Sequence, residues 1–271
     1  MPIVTIHDTQ VWQRRDRTTQ MRIWLGWLLG TSLAIYCWGF ISENTLWDFV
    51  WDAPRQALDM ASRMVPPKWE YFPQILKPLW DTVNIATLGT LLAIFFATPV
   101  AFLAARNTSP YPMLTRPCAL LLIVSSRSIN SLIWALLLVL ILGPGVFSGI
   151  LAIAFRSIGF IGKLLYEAIE EIDASQVEAI QATGASGAQV LMYGIMPQIM
   201  PAFAGITVYR WDINIRESTV LGLVGAGGIG LELQSSVNVL AWNQVTVIFL
   251  AILSSVILSE WVSAKVRHAI I

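Results

Sequence analysis

Long apolar runs separated by short polar stretches dominate this sequence. The runs occupy residues 21–41, 82–105, 113–142, 146–166, 198–215 and 242–262. A helix needs about twenty mostly apolar residues to cross the hydrocarbon core of a bilayer, and each run is close to that length or longer. Only 13% of the residues are charged, whereas a soluble domain carries about a quarter. The sequence therefore predicts an all-α membrane protein with about six transmembrane helices.

Basic residues near the two ends of the chain predict its orientation. The residues concerned are Arg14, Arg15, Arg17 and Arg22 around the start of the first run, and Lys265 and Arg267 after the last. Cytoplasmic flanks of membrane helices are enriched in lysine and arginine. Both termini are therefore predicted to be cytoplasmic, which requires an even number of spans. The formal net charge of zero gives no overall attraction to nucleic acid.

Two stretches depart from the simple pattern of spans and loops. Residues 42–79 mix tryptophans with acids, bases and prolines, and apolar residues at helical spacing predict two short amphipathic helices there. Such a segment suits either the membrane–water interface on the periplasmic side or the docking of a binding protein. The run 113–142 is too long for one straight span and contains SSRSIN at 125–130, which predicts a broken span. The predicted organisation is a tail with a first helix at 1–41, a periplasmic interfacial segment at 42–79 and a core at 80–271.

The most acidic part of the chain, residues 167–197, lies between two predicted spans and is called the coupling segment below. Small residues crowd its middle, and Gly184 and Gly187 can each take the positive φ that a sharp turn needs. Pro197 suits the start of the next helix. Two short helices joined by a glycine turn are therefore predicted to project into the cytoplasm. Taken on shape alone, this could be a rigid coupler or an ordinary connector.

A family resemblance separates these two interpretations. The runs RSINSLIWALL (127–137), IGKLLYEAIEEID (161–173), EAIQATGAS (178–186), YGIMPQIMP (193–201) and TVLGLVGAGGIGLEL (219–233) together resemble permease subunits of ATP-binding-cassette (ABC) importers. The likeness is to the methionine-transporter-like fold, and especially to its phosphonate/phosphite branch. Ile180 replaces the alanine that is usual at the third position of the family's EAA motif, and Asn130 stands where proline is common.

The resemblance implies a type I importer permease core with one extra N-terminal helix, in the bacterial inner membrane. It also implies a second copy of the chain, two ATP-binding subunits and a periplasmic substrate-binding protein as partners. The residues expected to shape the contact with the ATPase are Glu178, Ala179, Ala182, Gly184, Ala185 and Pro197.

No catalytic, metal-binding or nucleotide-binding pattern competes with this interpretation. Gly162-Lys163 is followed by Leu164, so the phosphate-cradling loop G-x-x-x-x-G-K-[ST] is missing. The resemblance therefore implies that ATP and magnesium bind to the partner ATPase. The run G-x-G-G-x-G at 225–230 follows no strand and lies on the predicted outer side, so it indicates close packing or a re-entrant turn.

Charged residues within the spans are the candidates for a solute pathway. An intramembrane charge costs about 2.5–3.5 kcal/mol even on the more lenient scale, so it normally faces a partner or a wet cavity. The candidate pathway residues are Arg127, Arg156, Arg210, Asn214 and Arg216. With Asp212 and Glu217 as the nearby acids, positive charge is in excess and suits an oxyanion. Pairing across helices, purely for assembly, is the alternative.

These features predict a permease subunit of an ATP-driven importer for a small phosphorus oxyanion such as phosphonate or phosphite, working by alternating access. One alternative keeps the class and changes the solute to an amino acid or another small molecule. A second is a stand-alone secondary transporter, which inverted repeats would support; the sequence shows none.

Overall fold

The computed structural model describes residues 3–6, 9–12 and 17–270, and the side chains of residues 18–269. Two strands, β1 (Ile3–Ile6) and β2 (Thr9–Trp12), pair antiparallel near the N-terminus. Sequence reasoning did not predict this hairpin, because four-residue strands in a polar tail leave almost no periodic signal. Arg14 and Arg15, on which the orientation partly depends, lie outside the described residues, as does the side chain of Arg17.

The chain divides into two compact units, residues 1–61 and 62–271. The first holds the hairpin, α1 (Arg17–Asn44) and most of α2 (Trp47–Met64). The Trp47 indole donates a hydrogen bond to the carbonyl oxygen of Ser42 (3.1 Å) and fixes the corner between the two helices. The structure has one amphipathic helix where the sequence predicted two short ones, because Pro54 is accommodated within α2.

The second unit is a helical bundle that contains both membrane-length helices and shorter ones. Its elements are α3 (Phe72–Ala104), α4 (Thr115–Ser128), α5 (Ser131–Leu142), α6 (Val146–Glu170), α7 (Ala174–Ala182), α8 (Gly187–Gln189), α9 (Met196–Leu221), α10 (Ile229–Asn238) and α11 (Trp242–Ile270). Within residues 17–270, five straight stretches are long and apolar enough to span a membrane, and the bent pair α4–α5 gives a sixth if it counts as one span. The prediction of an all-α membrane protein with about six spans is confirmed.

Helix boundaries differ from the predicted ones in two places. Helix α3 begins ten residues before the predicted 82, since Pro78 is tolerated inside it. Helix α9 extends to Leu221 and continues an apolar stretch that begins at Gly187, so the predicted span 198–215 was too short. The broken span is confirmed: α4 and α5 meet at 88°. Asn130 makes the break as the N-cap of α5, accepting a hydrogen bond from the Leu132 amide (3.2 Å).

Small residues bring α3 and α6 together. A stripe of buried small side chains on α3 includes Ala86, Thr90, Ala93, Ala97 and Ala101. At Gly89 an added Cβ would lie 2.8 Å from Cγ2 of Ile153 on α6. Membrane helices associate largely through such close packing, because lipid provides little hydrophobic drive for helix–helix contact. The two helices form the frame on which the functional residues are placed.

The bundle has two distinct ends. We call the end with residues 143–145 and 222–228 the outer end, and the end with residues 105–114 and 171–195 the inner end, after the predicted topology. At the outer end, the Gly145 amide donates to the carbonyl of Gly225 (3.0 Å). At the inner end, Glu170 accepts from the Arg106 amide (2.9 Å) and pairs with Arg116 (3.6 Å). These bonds join the predicted cytoplasmic loop before α4 to the end of α6.

Candidate functional site: a polar cluster in the membrane and an exposed coupling segment

A cluster of polar side chains lies about midway along α6 and α9. Arg210 on α9 is only 2% exposed and donates to Oγ of Ser157 on α6 (3.0 Å). Asn214, one turn further along α9, is fully buried and donates to Oγ1 of Thr90 on α3 (2.8 Å). The four-residue spacing that the sequence offered therefore does place Arg210 and Asn214 on one face, directed into the bundle.

Glu217 is the only carboxylate of residues 18–269 that pairs with the two arginines of this cluster. Its Oε1 lies 2.8 Å from Nη1 of Arg156, and its Oε2 lies 3.3 Å from Nη2 of Arg210. Two guanidinium groups against one carboxylate leave a formal surplus of one positive charge. The Arg156 side chain is 30% exposed, so the surplus lies on the accessible side of the cluster.

The start of α5 adds a further electropositive group. Nη1 of Arg156 donates to Oγ of Ser131, the first residue of α5 (3.3 Å). The first amides of a helix have no partners within the helix, and its dipole is positive at this end. A helix that starts inside the membrane because its span is broken can direct that end at an anion. The cluster thus combines two arginines, a single acid and the Ser131 hydroxyl at the start of α5.

The remaining predicted pathway residues lie elsewhere. Arg216 pairs with Asp212 on its own helix (2.5 Å), and Asp212 also accepts from Ser259 of α11 (2.7 Å). This pair joins α9 to α11 and is separate from the cluster around Glu217. Arg127 lies in the last turn of α4 and lines a different cavity, with Lys163 and Tyr166. Of the five predicted residues, the structure brings together Arg156, Arg210 and Asn214.

The coupling segment contains the predicted pair of short helices and glycine turn. Asp173 caps α7 by accepting hydrogen bonds from the Ser175 amide (2.9 Å) and hydroxyl (2.7 Å). These bonds lower the pKa of the Asp173 carboxyl because they favour its charged form. Gly184 has φ of +80° and turns the chain. Gly187, which could equally have taken a positive φ, does not and instead opens α8.

A π-helix, Val190–Ile195, links α8 to α9. Gly194 within it packs against α7, where a Cβ would lie in ordinary contact with Cδ1 of Ile180 (3.4 Å) and Cα of Val177 (3.6 Å). Gln198 accepts from the Asp173 amide (2.9 Å) and donates to the Gly194 carbonyl (2.7 Å). Sequence reasoning missed Gly194, Gln198 and the π-helix. The available N-cap signals were Asp173 before α7 and the capping box of Ser186 and Gln189 at α8.

The predicted ATPase contacts lie on the surface of this segment. Glu178, Ala179, Ala182, Gly184 and Pro197 are exposed, and Ala185 is half-buried. Met192 and Tyr193 of the π-helix are also strongly exposed. The segment holds its shape through its own hydrogen bonds and still presents small and apolar side chains outward. Such a surface can dock against another protein without refolding.

The fold itself has close counterparts among solved structures. The permease chain of "Inward facing conformations of the MetNI methionine ABC transporter" superposes with a TM-score of 0.63, covering 73% of this chain and 96% of that one at 18% identity. At this identity the likeness shows the fold: a type I ABC importer permease.

Sequence comparison defines the family. Residues 89–267 match the family described as "Binding-protein-dependent transport system inner membrane component", and this chain belongs to it. The phosphite transport system permease protein PtxC of Stutzerimonas stutzeri is 37% identical over 272 residues, covering 96% of this chain and 97% of the relative. The phosphate-import permease protein PhnE of Mycolicibacterium smegmatis is 38% identical over 220 residues, covering 81% of this chain and 41% of that protein.

Membership establishes what kind of molecule this is. The chain is a multi-pass inner-membrane permease subunit of an ABC importer, and it transports a solute instead of catalysing a reaction. An importer of this family works with an ATPase and a substrate-binding protein.

Proposed function

We propose that this permease imports phosphite or a closely related phosphorus oxyanion through the cluster of Arg156, Arg210, Asn214 and Glu217. The observation that carries the proposal is the pair of guanidinium groups sharing one carboxylate, in a chain 37% identical to a phosphite permease. Guanidinium groups bind phosphorus oxyanions through paired, charge-assisted hydrogen bonds. An anion that approaches Arg156 would neutralise the surplus charge.

A two-fold assembly of this chain with two ATPase subunits and a periplasmic binding protein is the arrangement we propose. ATP and magnesium would bind to the ATPase subunits. Both termini and residues 167–197 would face the cytoplasm. The contacts with the ATPase would be made by Glu178, Ala179, Ala182, Gly184 and Ala185, while Pro197 fixes the start of α9. The strong exposure of this surface in the isolated chain supports the assignment.

The connectivity explains how ATP binding would reach the solute. The coupling segment joins the inner end of α6 directly to the inner end of α9. Helix α6 carries Arg156 and Ser157, and α9 carries Arg210, Asn214 and Glu217. A displacement of the coupling segment therefore moves the two helices whose contact forms the cluster. Alternating access would follow if that displacement opens the cluster toward one side and closes it toward the other.

The deciding experiment removes the surplus charge and leaves the ion pair. Arg156→Gln keeps a hydrogen-bond donor beside Ser131 and Glu217, and the Arg210–Glu217 pair remains neutral overall. Uptake of phosphite by the reconstituted importer should fall by about tenfold or more, the loss of one charge-assisted hydrogen bond. Lys265→Gln removes a cation from α11, outside the cluster, and should leave uptake near the wild-type rate.

Competition identifies the solute. Excess unlabelled phosphonate or phosphate should reduce phosphite uptake, and methionine should not. Wild-type uptake in the Arg156→Gln variant would assign the cluster to assembly alone. Methionine-sensitive uptake would instead support the amino-acid alternative.

A further inference from the structure

A basic cavity lies nearer the inner end than the Glu217 cluster does. It has a volume of about 260 Å³ and lies between the last turns of α4 and the inner part of α6. Its polar lining comes from Arg127, Ser128, Lys163 and Tyr166, and its apolar lining from Leu120, Ile123 and Val124. The cavity is therefore a pocket with charged groups on two helices.

The charges in this cavity are not balanced. The Arg127 side chain makes no hydrogen bond or ion pair with any of residues 18–269. Lys163 pairs with Glu167 at 3.4 Å, but both side chains are over a third exposed, so solvent weakens this pair. Arg127 and Lys163 thus face one carboxylate. The Tyr166 hydroxyl also has no partner among these residues and can donate, whereas Ser128 already donates to the Val124 carbonyl (2.7 Å).

The close approach of α4 to α6 makes the cavity a defined structure. A Cβ at Gly159 would lie 2.5 Å from the Ile123 carbonyl oxygen and 2.8 Å from the Arg127 amide nitrogen. The Ser126 hydroxyl donates to the Phe155 carbonyl and accepts from the Gly159 amide (2.9 Å). These contacts set the positions of the Arg127 and Lys163 backbones relative to each other. An anion would therefore meet two basic side chains that extend from fixed backbone positions.

The position of the cavity along α6 bears on the unpaired charge of Arg127. Lys163 precedes the end of α6 at Glu170 by about 10 Å, at 1.5 Å per residue. It also follows Arg156 by two turns on the same side of α6, again about 10 Å away. A charge at this depth normally has a partner of opposite sign. The described residues of this chain supply none for Arg127, which is exposed, so an anion from outside the chain can reach it.

We propose that Arg127, Lys163 and Tyr166 form a binding site for a phosphoryl oxyanion, distinct from the Glu217 cluster. The guanidinium of Arg127, the ammonium of Lys163 and the hydroxyl of Tyr166 can surround the tetrahedral oxygens of a phosphoryl group. The group can come from a free phosphorus oxyanion or from the headgroup of an anionic phospholipid. The site extends beyond the proposed function, because it does not require that the Glu217 cluster bind solute.

The test measures how fast a thiol in the cavity lining reacts with an anionic reagent. In a background with Cys37→Ser and Cys118→Ser, the change Ser128→Cys places a thiol in the lining. The full chain is held in phosphatidylcholine nanodiscs, and the thiol is labelled with an anionic methanethiosulfonate reagent. Inorganic phosphite should slow labelling by about tenfold relative to chloride of equal ionic strength. A second set of nanodiscs contains phosphatidylglycerol and no phosphite.

The two arms distinguish the source of the phosphoryl group. Protection by phosphite in phosphatidylcholine identifies a free oxyanion site, and protection by phosphatidylglycerol alone identifies a lipid headgroup site. In either case Arg127→Gln and Lys163→Gln should each abolish protection, and Lys265→Gln should preserve it. Arg127→Gln and Lys163→Gln are made and tested as separate variants. Elution of each variant as a monodisperse particle shows that it is folded.

Equal labelling rates in all conditions would overturn the proposal. Protection that survives both Arg127→Gln and Lys163→Gln would overturn it as well. The labelling test varies Arg127 and Lys163, whereas the uptake experiment varies Arg156. Failure here is therefore separate from failure of the uptake experiment, which addresses the Glu217 cluster.

Discussion

Glycine serves opposite purposes at the two ends of the bundle. At the outer end, a Cβ on residue 230 would lie 2.0 Å from the Thr219 carbonyl oxygen, and one on residue 222 would lie 2.6 Å from Cα of Gly230. At the inner end, a Cβ on residue 184 or 187 would meet nothing within 4 Å. Gly222 and Gly230 allow backbones to touch, whereas Gly184 and Gly187 shape a segment whose surface is open.

The difference shows which end is closed by the chain itself. The Ile229 amide donates to Oγ1 of Thr82 (2.8 Å), and Gly228 lies against the same threonine. The glycine run 225–230 is thus close packing between helices, one of the two interpretations that its sequence allowed. The inner segment satisfies its polar groups locally and keeps an exposed surface. The outer end is packed against itself, and we propose that the inner surface contacts the ATPase.

The largest effect is expected from Gly230→Ala. Its methyl group would overlap a carbonyl oxygen, so backbone must move and stability should fall by about 1–3 kcal/mol or more. The measurement is the midpoint of thermal unfolding in detergent. Gly205→Ala on α9 is the matched control, since a Cβ there meets nothing within 4 Å. Equal midpoints for the two variants would remove the packing argument for the outer end.

A change of function without loss of fold is expected from Gly184→Asp. The residue is exposed with φ of +80°, so a side chain costs about 1–2 kcal/mol of backbone strain. The added charge should also weaken docking. Gly184→Asn carries a similar strain without the charge. Co-purification of the ATPase should be lost with aspartate and largely kept with asparagine.

The two variants at position 184 also separate the possible outcomes. Equal retention of the ATPase by both would show that this turn does not contact it. Equal loss would assign the effect to the backbone conformation.

The smallest effect is expected from acidifying the coupling segment. The folded pKa of Asp173 is depressed by its hydrogen bonds from Ser175. The stabilisation is therefore present above the ordinary pKa of 3.8 and is lost as pH falls through the lower, folded value. Hydrogen-exchange protection of the Ser175 amide should decrease over that range. Asp173→Asn should flatten this pH dependence, and an unchanged profile in the variant would show that another group is responsible.

Sequence reasoning worked best where structure is decided locally. The turn at Gly184 and the helix start at Pro197 depend on the conformational limits of single residues. The partners of Arg210 could not be found in this way. Ser157 lies on another helix, as does Arg156, which shares Glu217 with Arg210.

Two features of the inner end left no sequence signal. The π-helix at Val190–Ile195 packs Gly194 against α7, and no periodicity in that stretch reveals it. The cavity around Arg127 and Lys163 exists because α4 ends beside Gly159. Both depend on contacts between helices that are distant in sequence.

The most direct test of the account places a photo-crosslinking residue at one exposed position on each end. Ala182 on the coupling segment and Val239 after α10 are both exposed, and each would be replaced in the assembled importer. If the coupling segment contacts the ATPase, position 182 should crosslink to it and position 239 should not. A crosslink to the ATPase from position 239, or its absence at 182 in an assembled complex, would contradict the assignment of the two ends.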